Sequence, residues 1–302
     1  MRWENLRRSK NVENRRGQPA ARGVGRGGGR PVAIGGGCGT IIIMLICIFV
    51  FKVDPVALLG GDIQPQQQQA SAQYEPQGQS SEIQEFSERV KGSCEDVWKQ
   101  IFRESGSHYR PAKMVSYSGA TRMRTGGVAD ARMGPFYIPV EETIYLDIDF
   151  FRKMQQEMRA GGDFAFAYVI AHEVAHHVQK LIGATEKVHN KRGRISEKEY
   201  NRLSVRLELQ ADFLAGVWAH HANKDMIART GQSMMEQGDI EEAMRAAKAI
   251  GDDAIQYKAT GRIIEDSFTH GTSEQRLRWF MKGFNSGDLN QGDTFGIPYS
   301  GL

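Results

Sequence analysis

Asp163-Phe-Ala-Phe-Ala-Tyr-Val-Ile-Ala-His172-Glu173-Val-Ala-His176-His-Val-Gln-Lys-Leu-Ile182-Gly183 is the stretch on which the reading turns. Asp163, after two glycines, has the character of an N-cap and Gly183 that of a helix stop, which predicts a helix from about Phe164 to Ile182. On that helix His172 and His176 stand four residues apart, so both imidazoles project from one face and can reach a single ion. Glu173 lies about 100° further round the helix, beside that face. There it can touch a water on the metal without ligating it, and act as general base.

Such a site needs a third ligand. Downstream, Glu208-Leu-Gln-Ala-Asp212-Phe-Leu-Ala-Gly216 places two carboxylates one turn apart on a predicted helix. Glu208 is the candidate ligand. Asp212 is placed to accept the free ring N–H of a ligating histidine and so fix its tautomer. Ala211, Ala215 and Gly216 would let two helices approach closely. The ligand set His172, His176 and Glu208 with a water suits Zn2+ in tetrahedral coordination. The three cysteines do not suit it: Cys38 and Cys47 lie in or beside an apolar run, and Cys94 reads as a buried small residue.

Around this centre the chain of 302 residues divides by composition. Residues 1–30 form a basic tail, with Arg2, Arg7, Arg8, Lys10, Arg15, Arg16, Arg22, Arg26 and Arg30 opposed only by Glu4 and Glu13. Residues 31–53 are expected to form one transmembrane helix, since no charge falls between Arg30 and Lys52 and a bilayer core needs about 20 residues. A cleaved signal would have an unusually long basic region, and a lipoprotein signal at Cys38 fails because the apolar stretch follows that cysteine. The basic excess would hold the N-terminus in the cytoplasm and set the rest on the outer, periplasmic side of the inner membrane. The Arg/Gly segment lacks the interleaved aromatics of an RNA-binding tail, so no nucleic-acid partner is expected. Residues 54–80, rich in glutamine, read as a flexible linker, and the folded domain is expected over 81–302.

Within that domain, residues 82–102 carry helical periodicity. Residues 112–150 read as short strands, best over Phe136–Ile138 and Ile144–Ile148. Beyond Phe150 helices follow, at about 196–222, 225–237, 239–249, 252–265 and 272–283. The fold class expected is α+β: a mostly helical domain with a small sheet beside the active helix.

His172–His176 followed by Glu208-x-x-Ala-Asp212 resembles the gluzincin metallopeptidases. The closest likeness is to the bacterial family called putative neutral zinc metallopeptidases, and extends from about Trp98 to Phe295. It includes Gly134-Pro-Phe-Tyr137, Tyr145-Leu-Asp147 and Thr269-His-Gly-Thr-Ser-Glu-Gln-Arg276. The resemblance implies a zincin-like fold, peptide or protein substrates, and a peptide lying along the strand region Gly134–Asp147. It also implies a basic tail, one span and a polar linker. His270 resembles a histidine that stabilises the oxyanion in related membrane metallopeptidases, although a core or capping histidine before the helix at Thr272 reads equally well. Arg276 is expected to pair with a buried carboxylate. Relatives often carry a cysteine pair where this chain has Ser118-Gly-Ala and Ile138. A zinc-binding scaffold at the membrane, catalytically silent or of very narrow specificity, is the alternative reading. Oligomeric state is not legible.

Overall fold

The computed structural model describes residues 1–17, 77–130, 133–157 and 161–302. The expected span at 31–53, and the linker up to residue 76, lie outside the described residues. Among the described residues no helix is long and apolar enough to cross a membrane. The expected α+β class holds: the domain is mostly helical, with a small sheet.

The strands are β1 Val12–Asn14, β2 Lys113–Tyr117, β3 Ala120–Arg122, β4 Val128–Asp130, β5 Phe136–Ile138 and β6 Thr143–Asp147. The helices are α1 Gln77–Glu104, α2 Ile148–Glu157, α3 Asp163–Leu181, α4 Ala184–His189, α5 Glu197–Thr230, α6 Asp239–Ala249, α7 Asp252–Thr260 and α8 Ser273–Ser286. The main sheet has the order β1-β2-β6-β5, in which β1, β2 and β6 run parallel and β5 antiparallel to β6. β3 and β4 form a separate hairpin. Period-two alternation divides the buried side chains of β2 and β6 between two clusters. Met114, Ile144 and Leu146 face the helical core, whereas Val115, Tyr117 and Tyr145 pack with Met123, Ala129 and Phe136.

α3 is buried along its length, from Phe164 to Gln179. A helix apolar nearly all round belongs in the middle of a core, and α1, α5 and α6 pack around it, with β5 alongside. Its N-terminus departs from the expected cap. Asp163 is the first helical residue, Gly162 holds the cap position at φ 130°, and no side chain of the segment caps it. Glu242 of α6 does so from outside, accepting from Phe164 N–H at 3.0 Å. A Cβ at Gly162 would stand 2.1 Å from that carboxyl carbon, so the glycine makes room for the cap. The stop at Gly183 is left-handed, φ 77°, as its type allows.

α5 differs more. It runs unbroken from Glu197 to Thr230, started by a Ser196/Glu199 capping box and ended by left-handed Gly231. No second helix begins at 225. His220 and His221 therefore stand inside a helix and not at its negative end. They bond the carbonyls of Phe284 and Gly287, at 2.8 and 2.9 Å, serving the unpaired carbonyl end of α8. The small residue Gly216 serves the same α5–α8 crossing and not the approach of α3. A Cβ there would stand 2.1 Å from Phe280 O, and one at Gly283 2.0 Å from Phe213 O.

The basic tail is also corrected. Residues 1–17 are built into the domain: Leu6 is buried in the main core, and β1 pairs with β2 in the register Val12↔Met114, Glu13↔Val115, Asn14↔Ser116. Charge dominates the composition of this segment and hides a three-residue strand from any periodicity reading.

Candidate metal centre

His172 and His176 project from the buried α3 toward α5, where Glu208 meets them. One ligand atom from each of the three lies within 4.8 Å of the others, and these three are the group that could hold a metal ion among the described residues. His172 Nε2 is 3.2 Å and His176 Nε2 3.6 Å from Glu208 Oε2. His172, Glu173 and His176 are 3%, 5% and 7% exposed, and Glu208 0%.

Each histidine is oriented through its other nitrogen. His172 Nδ1–H donates to Asp212 Oδ1 at 2.8 Å, one turn after Glu208 on α5. His176 Nδ1–H donates to Gln179 Oε1 at 2.9 Å. Both tautomers are thereby fixed with Nε2 free to ligate. Asp212 is held in turn by Tyr168 OH at 2.6 Å and by one edge of Arg276, Nε at 2.9 Å and Nη2 at 3.0 Å. Burial pushes the Asp212 carboxyl up, but the Arg276 guanidinium and the His172 ring outweigh it and keep it below the usual range. Arg276 thus pairs with a buried carboxylate. Gln179 completes its own pairing on α5 through Nε2–H, to Leu207 O at 2.6 Å and Gln210 Oε1 at 3.1 Å.

A buried polar atom is normally hydrogen-bonded. Four atoms here are not: His176 Nε2, Glu208 Oε1, Glu173 Oε2 and His270 Nε2. A cation between the two imidazoles and Glu208 would satisfy His176 Nε2 and Glu208 Oε1, and two neutral imidazoles with a carboxylate suit zinc. The residues present therefore fit the ion. Burial raises the Glu173 carboxyl above its ordinary value, with His176 and His172 opposing. Burial also opposes ionisation of Glu208, yet the His176 and His172 rings hold it well below the carboxylate range.

His270 stands near enough that its ring contributes to lowering Glu208. It is 1% exposed, and its Nδ1–H donates to Asp252 Oδ1 at 2.9 Å. Asp252 Oδ2 accepts the backbone N–H groups of Thr269 and His270, each at 2.7 Å. The loop before α8 is thus pinned to the start of α7, and His270 Nε2 is left unpaired. His177 lies between β5 and the loop before β2. Tyr137 OH donates to its Nδ1 at 2.8 Å, and its Nε2–H donates to Arg110 O at 2.6 Å. Burial lowers its pKa to about 4, so the ring is neutral.

Sequence reasoning missed Tyr168, Gln179 and Asp252. The first two carry a readable signal, because they lie one turn before His172 and one turn after His176 on the same helix. Asp252 carries none: it is 18 residues from His270, and only the fold of the α7–α8 region joins them.

Comparison with known proteins gives a consistent picture. A family model described as Putative neutral zinc metallopeptidase matches residues 1–295. An Escherichia coli (strain K12) protein, Uncharacterized protein YpfJ, is 44% identical over 298 residues, covering 98% of this chain and 99% of that one. A Mycobacterium bovis protein, Uncharacterized protein Mb2605, is 40% identical over 210 residues, 67% of each chain. No solved structure matches.

Proposed function

The chain belongs to the family described as Putative neutral zinc metallopeptidase, and on that premise we propose that it hydrolyses peptide bonds, with Glu173 as the general base. The observation that carries this reading is the buried group His172, His176 and Glu208, whose ligand atoms lie within 4.8 Å of one another with His176 Nε2 and Glu208 Oε1 unpartnered, and Glu173 next to His172 on α3. His172, His176 and Glu208 would hold the zinc ion. Bound there, it supplies Lewis acidity, which polarises a carbonyl and brings the pKa of water down to about 7.

The remaining work falls to side chains. Glu173 takes a proton from the attacking water and returns it to the leaving amine. With a proton on both ring nitrogens and Asp252 opposite Nδ1, His270 donates through Nε2–H to the carbonyl oxygen as negative charge develops on it. Asp252 holds His270 at Nδ1 so that Nε2 faces that oxygen, and Asp212 holds His172. β5 ends the main sheet as an edge strand, which suits an extended substrate backbone. Beside His172 and Glu173 lies a mainly apolar cavity lined by Met133, Pro135, Phe150, Val169 and Ile250, which would take an apolar part of the substrate.

The near-complete burial of His172, Glu173 and His176 favours one second reading: an enzyme of very narrow specificity, or a silent zinc scaffold. The test takes the full-length chain and its Glu173→Gln twin, each loaded with one equivalent of zinc, against an unfolded protein read by mass spectrometry. Cleavage by the parent, reduced about 10²–10⁴-fold in the twin, is the expected result. Zinc bound by both with cleavage by neither supports the second reading, and equal cleavage by both removes Glu173 from its role.

A further inference from the structure

A chain segment that contributes a strand to a sheet cannot be separated from that sheet by a lipid bilayer. Residues 1–17 are such a segment, and β1 is only part of their attachment. Arg7 Nη2 pairs with Asp96 at 2.8 Å and Glu95 at 3.0 Å, and Arg8 Nε with Glu88 at 2.8 Å. Arg89 of α1 donates back to Leu6 O at 2.6 Å and Glu4 O at 2.7 Å. Arg2 reaches Ser233 O at 2.8 Å, after α5, and Arg15 reaches Arg122 O at 2.9 Å, in β3.

Two features of α1 make sense only with this segment in place. Glu95 is 1% exposed, and its oxygens accept from Ser9 Oγ at 2.6 Å and Asn11 Nδ2 at 2.9 Å as well as from Lys91. Without residues 1–17, most of the groups that satisfy this buried carboxylate would be gone. Gly92 lies in mid-helix, where glycine costs about 1 kcal/mol relative to alanine. A Cβ there would stand 2.0 Å from Arg7 O, so the glycine is the floor on which the segment lies.

We propose that residues 1–17 and the metallopeptidase domain occupy the same side of the membrane, so the stretch between them does not carry the domain across it. The inference does not depend on the peptidase reading. A single crossing at 31–53 would put the partners of β1 and β2 on opposite faces of a hydrocarbon layer about 30 Å thick. Two crossings would need roughly 40 apolar residues, whereas residues 18–76 contain one continuous apolar run, Ile41–Phe51, followed by a glutamine-rich stretch. The basic residues that suggested a cytoplasmic tail also have another use. Arg2, Arg7, Arg8 and Arg15 all form ion pairs within the fold. Their charge is explained by acidic partners and not by an orientation signal.

The test uses full-length protein in the membranes of an expressing bacterium. In a Cys38→Ala, Cys47→Ala background, Lys10→Cys or Lys187→Cys is introduced at an exposed position. A membrane-impermeant maleimide is then added to spheroplasts before and after lysis. Equal behaviour of the two positions is expected: both labelled at once, or both only after lysis. Lys187→Cys labelled in intact spheroplasts with Lys10→Cys protected until lysis overturns the proposal. A second measurement reads docking directly, without a variant. Carbodiimide should join Glu13 to Lys113, an exposed ion pair between β1 and β2, as a peptide pair found by mass spectrometry. Absence of that pair, in membranes that yield the Lys198–Asp266 pair of the domain, also overturns it.

Discussion

Asp252 and His270 bond at 2.9 Å, so the aspartate acts through the histidine. Asp252→Asn should lower kcat about 10-fold or more, with KM and zinc content little changed. Glu173→Gln and His270→Ala act on the reacting atoms themselves. Asp212 plays a different part. Asp212→Asn should weaken zinc binding about 10–100-fold, measured by competition with a chromogenic chelator, because His172 loses the anionic acceptor that orients it and the one remaining amide oxygen is contested by Tyr168 and Arg276. It should also destabilise the fold, since Arg276 is left as a buried cation without its carboxylate. Asp147 allows a pH test away from the metal. Burial, helped by Asp149, raises its pKa to about 6 from 3.8, and its Oδ2 has no partner. The unfolded chain ionises between pH 3.8 and 6 while the folded one stays protonated, so this group subtracts stability as pH rises through that window. Asp147→Asn should therefore raise stability by about 1–3 kcal/mol at pH 7.5 and by almost nothing near pH 4, read from denaturant midpoints. The ligands and base were legible because their spacing on a helix is dictated by the chemistry. Asp252 was not, because no local pattern connects it to residue 270.

Elements were legible where their own residues decide them. β5 and most of β6 follow from alternation, and α3 from its apolar length. Their limits and packing were less so. α3 takes its cap from Glu242, 78 positions along the chain from its acceptor's partner Phe164. α5 continues past residue 222 because nothing between there and Gly231 breaks a helix, although its apolar rhythm fades. The crossing of α5 and α8 is set by a reciprocal glycine pair. Gly283→Ala should lower stability by about 1–3 kcal/mol or more, as overpacking does, and shift the melting temperature accordingly. Ser196→Ala, which removes the capping box at the start of α5, should cost about 1 kcal/mol. The contrast between a crossing and a cap is measurable in one series of thermal melts.

For the molecule as a whole, compositional boundaries misplace the domain. A basic N-terminal stretch reads as a tail, yet here it fills one side of the sheet and satisfies Glu95. A fragment beginning at Ser81 should melt well below the full chain and tend to aggregate through the exposed edge of β2. A synthetic peptide of residues 1–17 should raise its melting temperature in a dose-dependent way, and a peptide with Arg7→Asp should do so much less. Acid should weaken the attachment as well. Glu95 is held down to about 2, burial notwithstanding, by Lys91, Ser9 and Asn11. Its contribution is therefore complete above pH 4.5 and is lost as pH falls toward 2.

The bond from Arg2 to Ser233 spans 231 positions, and that span sets a timetable. Arg2 leaves the ribosome at the start of synthesis and its partner near the end. At about 5–20 residues per second, roughly 10–45 s separate the two. During that interval the nascent apolar run at residues 41–51 has emerged while much of the domain that will hold the leading strand does not yet exist. Docking of the leading strand is then a late step of folding, completed only after most of the chain has been made.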